Sequence, residues 1–198
     1  MGSSTGSAPP FFVVTGTSGA GKGTLEKALL VQVPDLELAV SATTRERREG
    51  EEDGREYWFI SDEEFDDKLA AGEFLEYVGF PWGQRSGTLR SEIARIQAAG
   101  KIPLLDLEPM GALEVKRTAP GAVTIFVEAP SFEENERRLR ARATESEGEI
   151  EERLDLAREQ LDQADEFDHR LVNDDVDRAL VELEEIVKKE LSASMSRP

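Results

Sequence analysis

The chain has 198 residues, enough for one substantial hydrophobic core and too few for two ordinary domains. It has no cysteine, which excludes disulfides, thiolate-held zinc and thiol nucleophiles and suits a cytoplasmic setting. With 42 acidic against 24 basic residues, a formal charge of -18 and no apolar run of about 18 residues, it repels nucleic acid and anionic membranes and offers no membrane span, so any phosphate ligand must be met by locally gathered cations.

The opening Met1 to Pro10 lacks a basic start and an apolar stretch and reads as a disordered tail or tag, and residues 192–198 read as a tail at the other end. Phe11 to Thr15 reads as a buried strand, followed by a glycine-rich turn and a helix over Thr24 to Val33. Leu36 to Ser41 alternates apolar with polar residues, and Thr43 to Arg55 is a polar, arginine-rich connection. Tyr57 to Ile60 predicts a short strand, Asp62 to Ala71 a helix capped by Ser61 or Asp62, and Phe74 to Val78 another strand. Leu89, Ile93 and Ile96 have helical spacing, which predicts a helix over Gly87 to Ala99, stopped by Gly100. The rest alternates: strand Ile102 to Leu107, helix Gly111 to Arg117, strand Val123 to Val127, helices Phe132 to Ala141 and Ile150 to Gln163, strand Arg170 to Val172 and helix Val176 to Leu191. Strands alternating with helices imply an α/β fold with a parallel sheet.

Three sets of residues carry chemistry. Gly16-Thr17-Ser18-Gly19-Ala20-Gly21-Lys22-Gly23-Thr24 satisfies G-x-x-x-x-G-K between a strand and a helix, the P-loop pattern whose backbone N–H groups and helix dipole cradle phosphates while Lys22 neutralises them. Gly23 stands where that pattern has the hydroxyl that holds magnesium, so Mg2+ is expected through ATP phosphates and water, with Thr24 and Asp106 as helpers. In the second set, Arg45 and Arg48 lie beside Ser41, Thr43, Thr44 and Tyr57, suited to a phosphate dianion; a solvated arginine-rich loop is the alternative. The third set is Arg138-Leu139-Arg140-Ala141-Arg142 with Arg153 downstream, either a charge-neutralising lid or helix-surface arginines paired with acids.

Ser41 through Tyr57 resembles the guanylate kinase family, whose acceptor motif S-x-T-T-R-x-x-R-x-G-E-x-x-G-x-x-Y it matches in residue and spacing. The resemblance runs from about Phe11 to Leu191 and implies a P-loop fold with a core (residues 11–41, 91–130 and 155–191), a GMP-binding module (42–90) and a helical lid (131–154). It implies phosphoryl transfer from ATP to GMP by a monomer or small homo-oligomer, and leaves open whether dGMP is also an acceptor. Arg45, Arg48 and Tyr57 would bind the GMP phosphate, Glu51 would orient the arginines, and Ser41 and Glu76 would face guanine. A carboxylate suits guanine because N1–H and the 2-amino group are adjacent donors.

At Gly83 to Thr88 the usual G-N-Y-Y-G-[ST] is replaced by Gly-Gln-Arg-Ser-Gly-Thr, which by count puts Arg85 in place of a phosphate-binding tyrosine, with Ser86 and Thr88 supplying hydroxyls. Asp106 and Glu108 resemble the family's L-D-x-D, with Glu108 replacing the second aspartate. By the same resemblance Lys22, Arg45, Arg138, Arg142 and Arg153 form the catalytic set, and Asn173 contacts the adenine of ATP. Related ribose bisphosphate phosphokinases and noncatalytic guanylate-kinase-like binding modules are the alternatives; the GMP-reading set opposes the first, and Lys22 with the lid arginines the second. His169, the one histidine, is expected to be structural, and Trp58 and Trp82 belong to the acceptor module.

Overall fold

Phe11 to Gly16 is apolar or β-branched at every position but the last and is buried throughout, as a strand must be when a parallel sheet is covered on both faces. The computed structural model describes residues 10–79, 83–141 and 147–195. In chain order its elements are β1 (Phe11–Gly16), α1 (Lys22–Gln32), β2 (Leu36–Leu38), β3 (Ala42–Thr43), β4 (Trp58–Phe59), α2 (Asp62–Ala70), β5 (Phe74–Gly79) and β6 (Arg85–Leu89). There follow α3 (Arg90–Ala98), β7 (Ile102–Asp106), α4 (Pro109–Thr118), β8 (Ala122–Glu128), α5 (Phe132–Ala141), α6 (Glu147–Asp162), β9 (His169–Val172) and α7 (Val176–Met195).

The main sheet has the order β2-β7-β1-β8-β9, and each of its pairings is parallel. The two-residue period of β1 divides the core. Phe12 and Val14 join Leu25 and Leu29 of α1 and Leu183 and Val187 of α7, while Phe11 and Val13 face the opposite layer with Ile96 of α3 and Ala112 and Val115 of α4. β1 is the middle strand, so the loop that follows it opens at the carboxyl edge of the sheet beside Asp106, the last residue of β7.

A second sheet, β4-β3-β6-β5, forms between β2 and α3. Its β3–β6 and β5–β6 pairings are antiparallel. Phe65 of α2 stacks on Phe74 at a ring distance of 4.4 Å, and Ala42 and Leu89 complete this small core. Ser61 caps α2 by accepting from the Glu64 N–H. Glu92 of α3 accepts from the Val40 N–H at 3.1 Å, joining the strand of chain that enters this sheet to the helix that leaves it. Leu139 of α5 packs with Ile150 and Leu154 of α6 in a cluster of its own.

The helix expected over Gly87 to Ala99 starts only at Arg90. Gly87 and Thr88 pair with Tyr77 and Glu76 of β5, and Leu89 serves as the extended cap of α3. The apolar spacing was genuine for Ile93 and Ile96, but long-range pairing claimed the residues before them. The expected helix at Gly111 begins two residues earlier, with Pro109 in its first turn, where a missing N–H costs nothing. Among the described residues no helix is long and apolar enough to cross a membrane.

Candidate active site

The turn after β1 is shaped by close approaches. A Cβ on Gly16 would stand 2.0 Å from the Val127 carbonyl oxygen, and Gly21, with φ 89°, would press a Cβ to within 2.5 Å of Asn173 Nδ2. Neither position admits another residue without displacing backbone or a buried amide. Lys22 opens α1, and its Nζ donates to Asp106 Oδ1 at 2.7 Å. Burial opposes the Lys22 charge, but Asp106 outweighs it, and the ammonium is held above its ordinary pKa. Thr24 is exposed in the same turn, and the space around Gly23 is open.

Glu26, one turn further along α1, is buried, and its Oε1 has no hydrogen-bond partner. Burial first, and then the charge of Asp106, push its carboxyl up to about 8 against the pull of Lys22.

Lys22 and Asp106 lie on the wall of a cavity of about 430 Å³ between the two sheets. Ser41, Thr43, Arg45, Arg48, Glu51, Tyr57 and Glu76 line it, together with Leu107, Glu108 and Gly111 at the entry to α4. Arg45 makes a two-pronged pair with Glu51, at 2.7 and 3.0 Å, and Glu51 also accepts from the Arg48 N–H at 2.8 Å. The Arg45 hydrogen bonds, followed by that of Arg48, hold the Glu51 carboxyl below its usual range. Arg45 also lies 5.4 Å from the ring centre of Tyr57. Glu76 is 5% exposed and accepts from the Thr88 N–H at 2.9 Å. Burial pushes its carboxyl up, and the bonding to Thr88 pulls back. The β5–β6 ladder slips between Phe74 and Glu76, so that Phe74 turns into the small core while Glu76 faces α4.

Several expectations need correction. Arg85 does not face the cavity. It reaches across to α2, where it pairs with Asp62 at 2.7 Å and with Asp66 and lies 4.5 Å from the ring centre of Phe65. Alternation along β6 aims Ser86 inward and Arg85 outward, and Gln84, two residues before Ser86, lines the cavity instead. Asn173 has a structural partner of its own: its Nδ2 donates to the Ala20 carbonyl at 2.7 Å, bracing the loop after β1. Thr88 is buried off the cavity wall and contributes its backbone N–H to Glu76.

Arg138 and Arg153 do not line the cavity either. Arg138 is held by Glu134 at 2.7 Å and by the Asn173 carbonyl at 3.0 Å, and Arg153 is half-buried on α6. Arg142 and Trp82 lie outside the described residues. His169 pairs with Glu190 at 3.0 Å, away from the cavity. Val78, Gln84 and Gly111 are lining residues that the sequence reading did not single out. The first two were accessible by two-residue alternation from Glu76 and Ser86, and Gly111 had as its signal a glycine placed against propensity inside a helix.

The guanylate kinase family model matches residues 9–190. Among curated relatives, the guanylate kinase of Rubrobacter xylanophilus is 47% identical over 177 residues, covering 89% of this chain and 92% of its own. That of Prochlorococcus marinus is 44% identical over 176 residues, covering 89% and 95%. The crystal structure of guanylate kinase from Anaplasma phagocytophilum superposes with a TM-score of 0.72 at 26% identity, over 92% of this chain and 86% of that one. With a phosphate loop at the edge of a parallel sheet, an arginine- and carboxylate-lined cavity beside it and relatives matched across nearly their whole length, the chain belongs to the guanylate kinase family.

Proposed function

We propose that the protein is an ATP:GMP phosphotransferase that moves the terminal phosphoryl group of ATP onto GMP and releases ADP and GDP. The observation that carries this reading is one cavity holding both Arg45, Arg48 and Tyr57 for a phosphate and a buried Glu76 for a base with two adjacent donors, with Lys22 on its wall. An oxygen of the GMP phosphate attacks the γ-phosphorus as the bond to the ADP oxygen breaks. That phosphate is already anionic, so no general base is needed and catalysis rests on alignment and charge neutralisation.

In this reading the loop from Gly16 to Thr24 cradles the ATP phosphates, and Lys22 leaves Asp106 to meet them. Glu51 fixes the Arg45 fork for the acceptor phosphate, and Ser41 and Glu76 read guanine, with Glu108 at the rim. Residues 42–90 act as the acceptor module and residues 131–154 as the lid. Closure of that lid would bring Arg138, Arg142 and Arg153 over the phosphates and exclude water.

The residues beside the phosphate loop suit Mg2+: Asp106 offers a half-exposed carboxylate next to Lys22, Thr24 offers an exposed hydroxyl, and the buried Glu26 Oε1 is unpartnered. Asp106 and Thr24 would hold the ion through its water, and when bound it would offset charge on the ATP phosphates. The protein would act in the cytoplasm on nucleotides, without nucleic acid or membrane as partner.

The test is ADP release with ATP and Mg2+ as the acceptor is varied among GMP, dGMP, AMP, CMP, UMP and ribose 1,5-bisphosphate. Turnover confined to GMP and dGMP is the expected result. Turnover with another acceptor alone would keep the kinase and discard the guanine reading, and none at all would leave a binding module.

A further inference from the structure

Gly111 is a glycine without a backbone reason. It sits in the first turn of α4 with ordinary helical φ, where alanine is the better helix former. What a Cβ at this position would meet first is a single side chain. A Cβ built on Gly111 would lie 2.8 Å from Glu76 Oε2, 3.5 Å from its Cδ and 3.9 Å from its Cγ, and these are its three nearest neighbours.

Glu76 cannot easily retreat. It is 5% exposed, and its other oxygen, Oε1, is pinned by the Thr88 N–H at 2.9 Å on β6. The carboxylate is therefore wedged between β6 and the first turn of α4, and the missing methyl group of Gly111 is the space it occupies. Both residues line the same cavity.

We propose that Gly111 is a positioning residue for acceptor specificity: its bare Cα lets the Glu76 carboxylate lie against α4 at the angle from which it accepts from the two adjacent N–H donors of guanine. This rests on the reading of Glu76 as the guanine partner. Side-chain volume at position 111 then tunes base selectivity through Glu76, without contact between that side chain and the nucleotide.

The experiment is a double-mutant cycle of Gly111→Ala and Glu76→Ala, reading KM and kcat for GMP and AMP together with Tm. Gly111→Ala is expected to raise the GMP KM by about tenfold or more, the scale of one misplaced charge-assisted hydrogen bond, while kcat falls by less than about threefold and the preference for GMP over AMP narrows. In the Glu76→Ala background the clash is gone, so adding Gly111→Ala should move the GMP KM by less than about twofold and raise Tm through helix propensity. A wild-type GMP KM in Gly111→Ala would overturn the proposal, as would an equal rise in KM whether or not Glu76 is present. Wild-type protein that does not phosphorylate GMP would instead overturn the functional reading beneath it.

Discussion

The acceptor cavity and the donor side of the site are prepared in different ways. In the cavity two charged groups are held in place by the protein: Glu51 locks the Arg45 fork, and Glu76 is clamped between Thr88 and α4. On the donor side each described cation is engaged by the protein itself, Lys22 by Asp106 and Arg138 by Glu134 and the Asn173 carbonyl. Under the proposed function the cavity is preorganised, whereas the donor side would keep its cations neutralised until phosphate displaces the carboxylates. In a protein with a formal charge of -18, that arrangement would leave few cations exposed and let ATP itself assemble the reacting centre.

The largest break in this comparison is Lys22→Ala. It removes the cation that must change partners, and kcat should fall by about 10³-fold, with the GMP KM moving far less. A comparable loss in both constants, measured by steady-state ADP release, would show that the two halves are not separately prepared.

Glu26→Gln tests the electrostatic cost of the donor side. The folded pKa of Glu26, about 8, lies above its ordinary value of 4.5, so the stability contributed by the neutral carboxyl is full below 4.5 and is lost as pH rises through about 8. Glutamine cannot ionise. The variant should therefore match the wild type in acid and exceed it by on the order of 5 kcal/mol near pH 9, as read by denaturant unfolding across pH. A stability difference that does not grow with pH would refute the buried-carboxyl account.

The smallest effect sharpens the boundary of the cavity. Arg85→Ala cuts a partly exposed contact with α2, so Tm should fall by no more than about 3 °C and the GMP KM should stay within about twofold. A large rise in KM would return Arg85 to the phosphate.

How much of this was legible in the sequence depended on how local the cause was. The phosphate loop was readable because its glycines, Lys22 and the flanking strand and helix form one continuous segment. The parallel core was readable because alternation of apolar strands and helices leaves few other arrangements. The strand Arg85–Leu89 was not, because its pairing with β5 is decided by partners up to fifteen residues away, Phe74 with Leu89, against a helical apolar spacing. Arg85 was placed by counting along a motif, and the strand's two-residue period would have turned it the other way. The bond from Asn173 to the Ala20 carbonyl was not legible either, because its two ends are 153 residues apart. The burial of Glu26 has no signal in its neighbours in sequence, because tertiary packing produces it.

The staple between Glu92 and the Val40 N–H has a practical consequence for altering what such a protein acts upon. It brings the two crossings of the chain into the acceptor sheet side by side, so a foreign recognition segment could be spliced in between them without cutting the phosphate loop or the main sheet. Leu75 would have to travel with any such graft as an anchoring plug, because it packs among the residues of the main core on the layer of α3 and α4. Together, the staple and the plug mark the joints at which this architecture can exchange one recognition cassette for another.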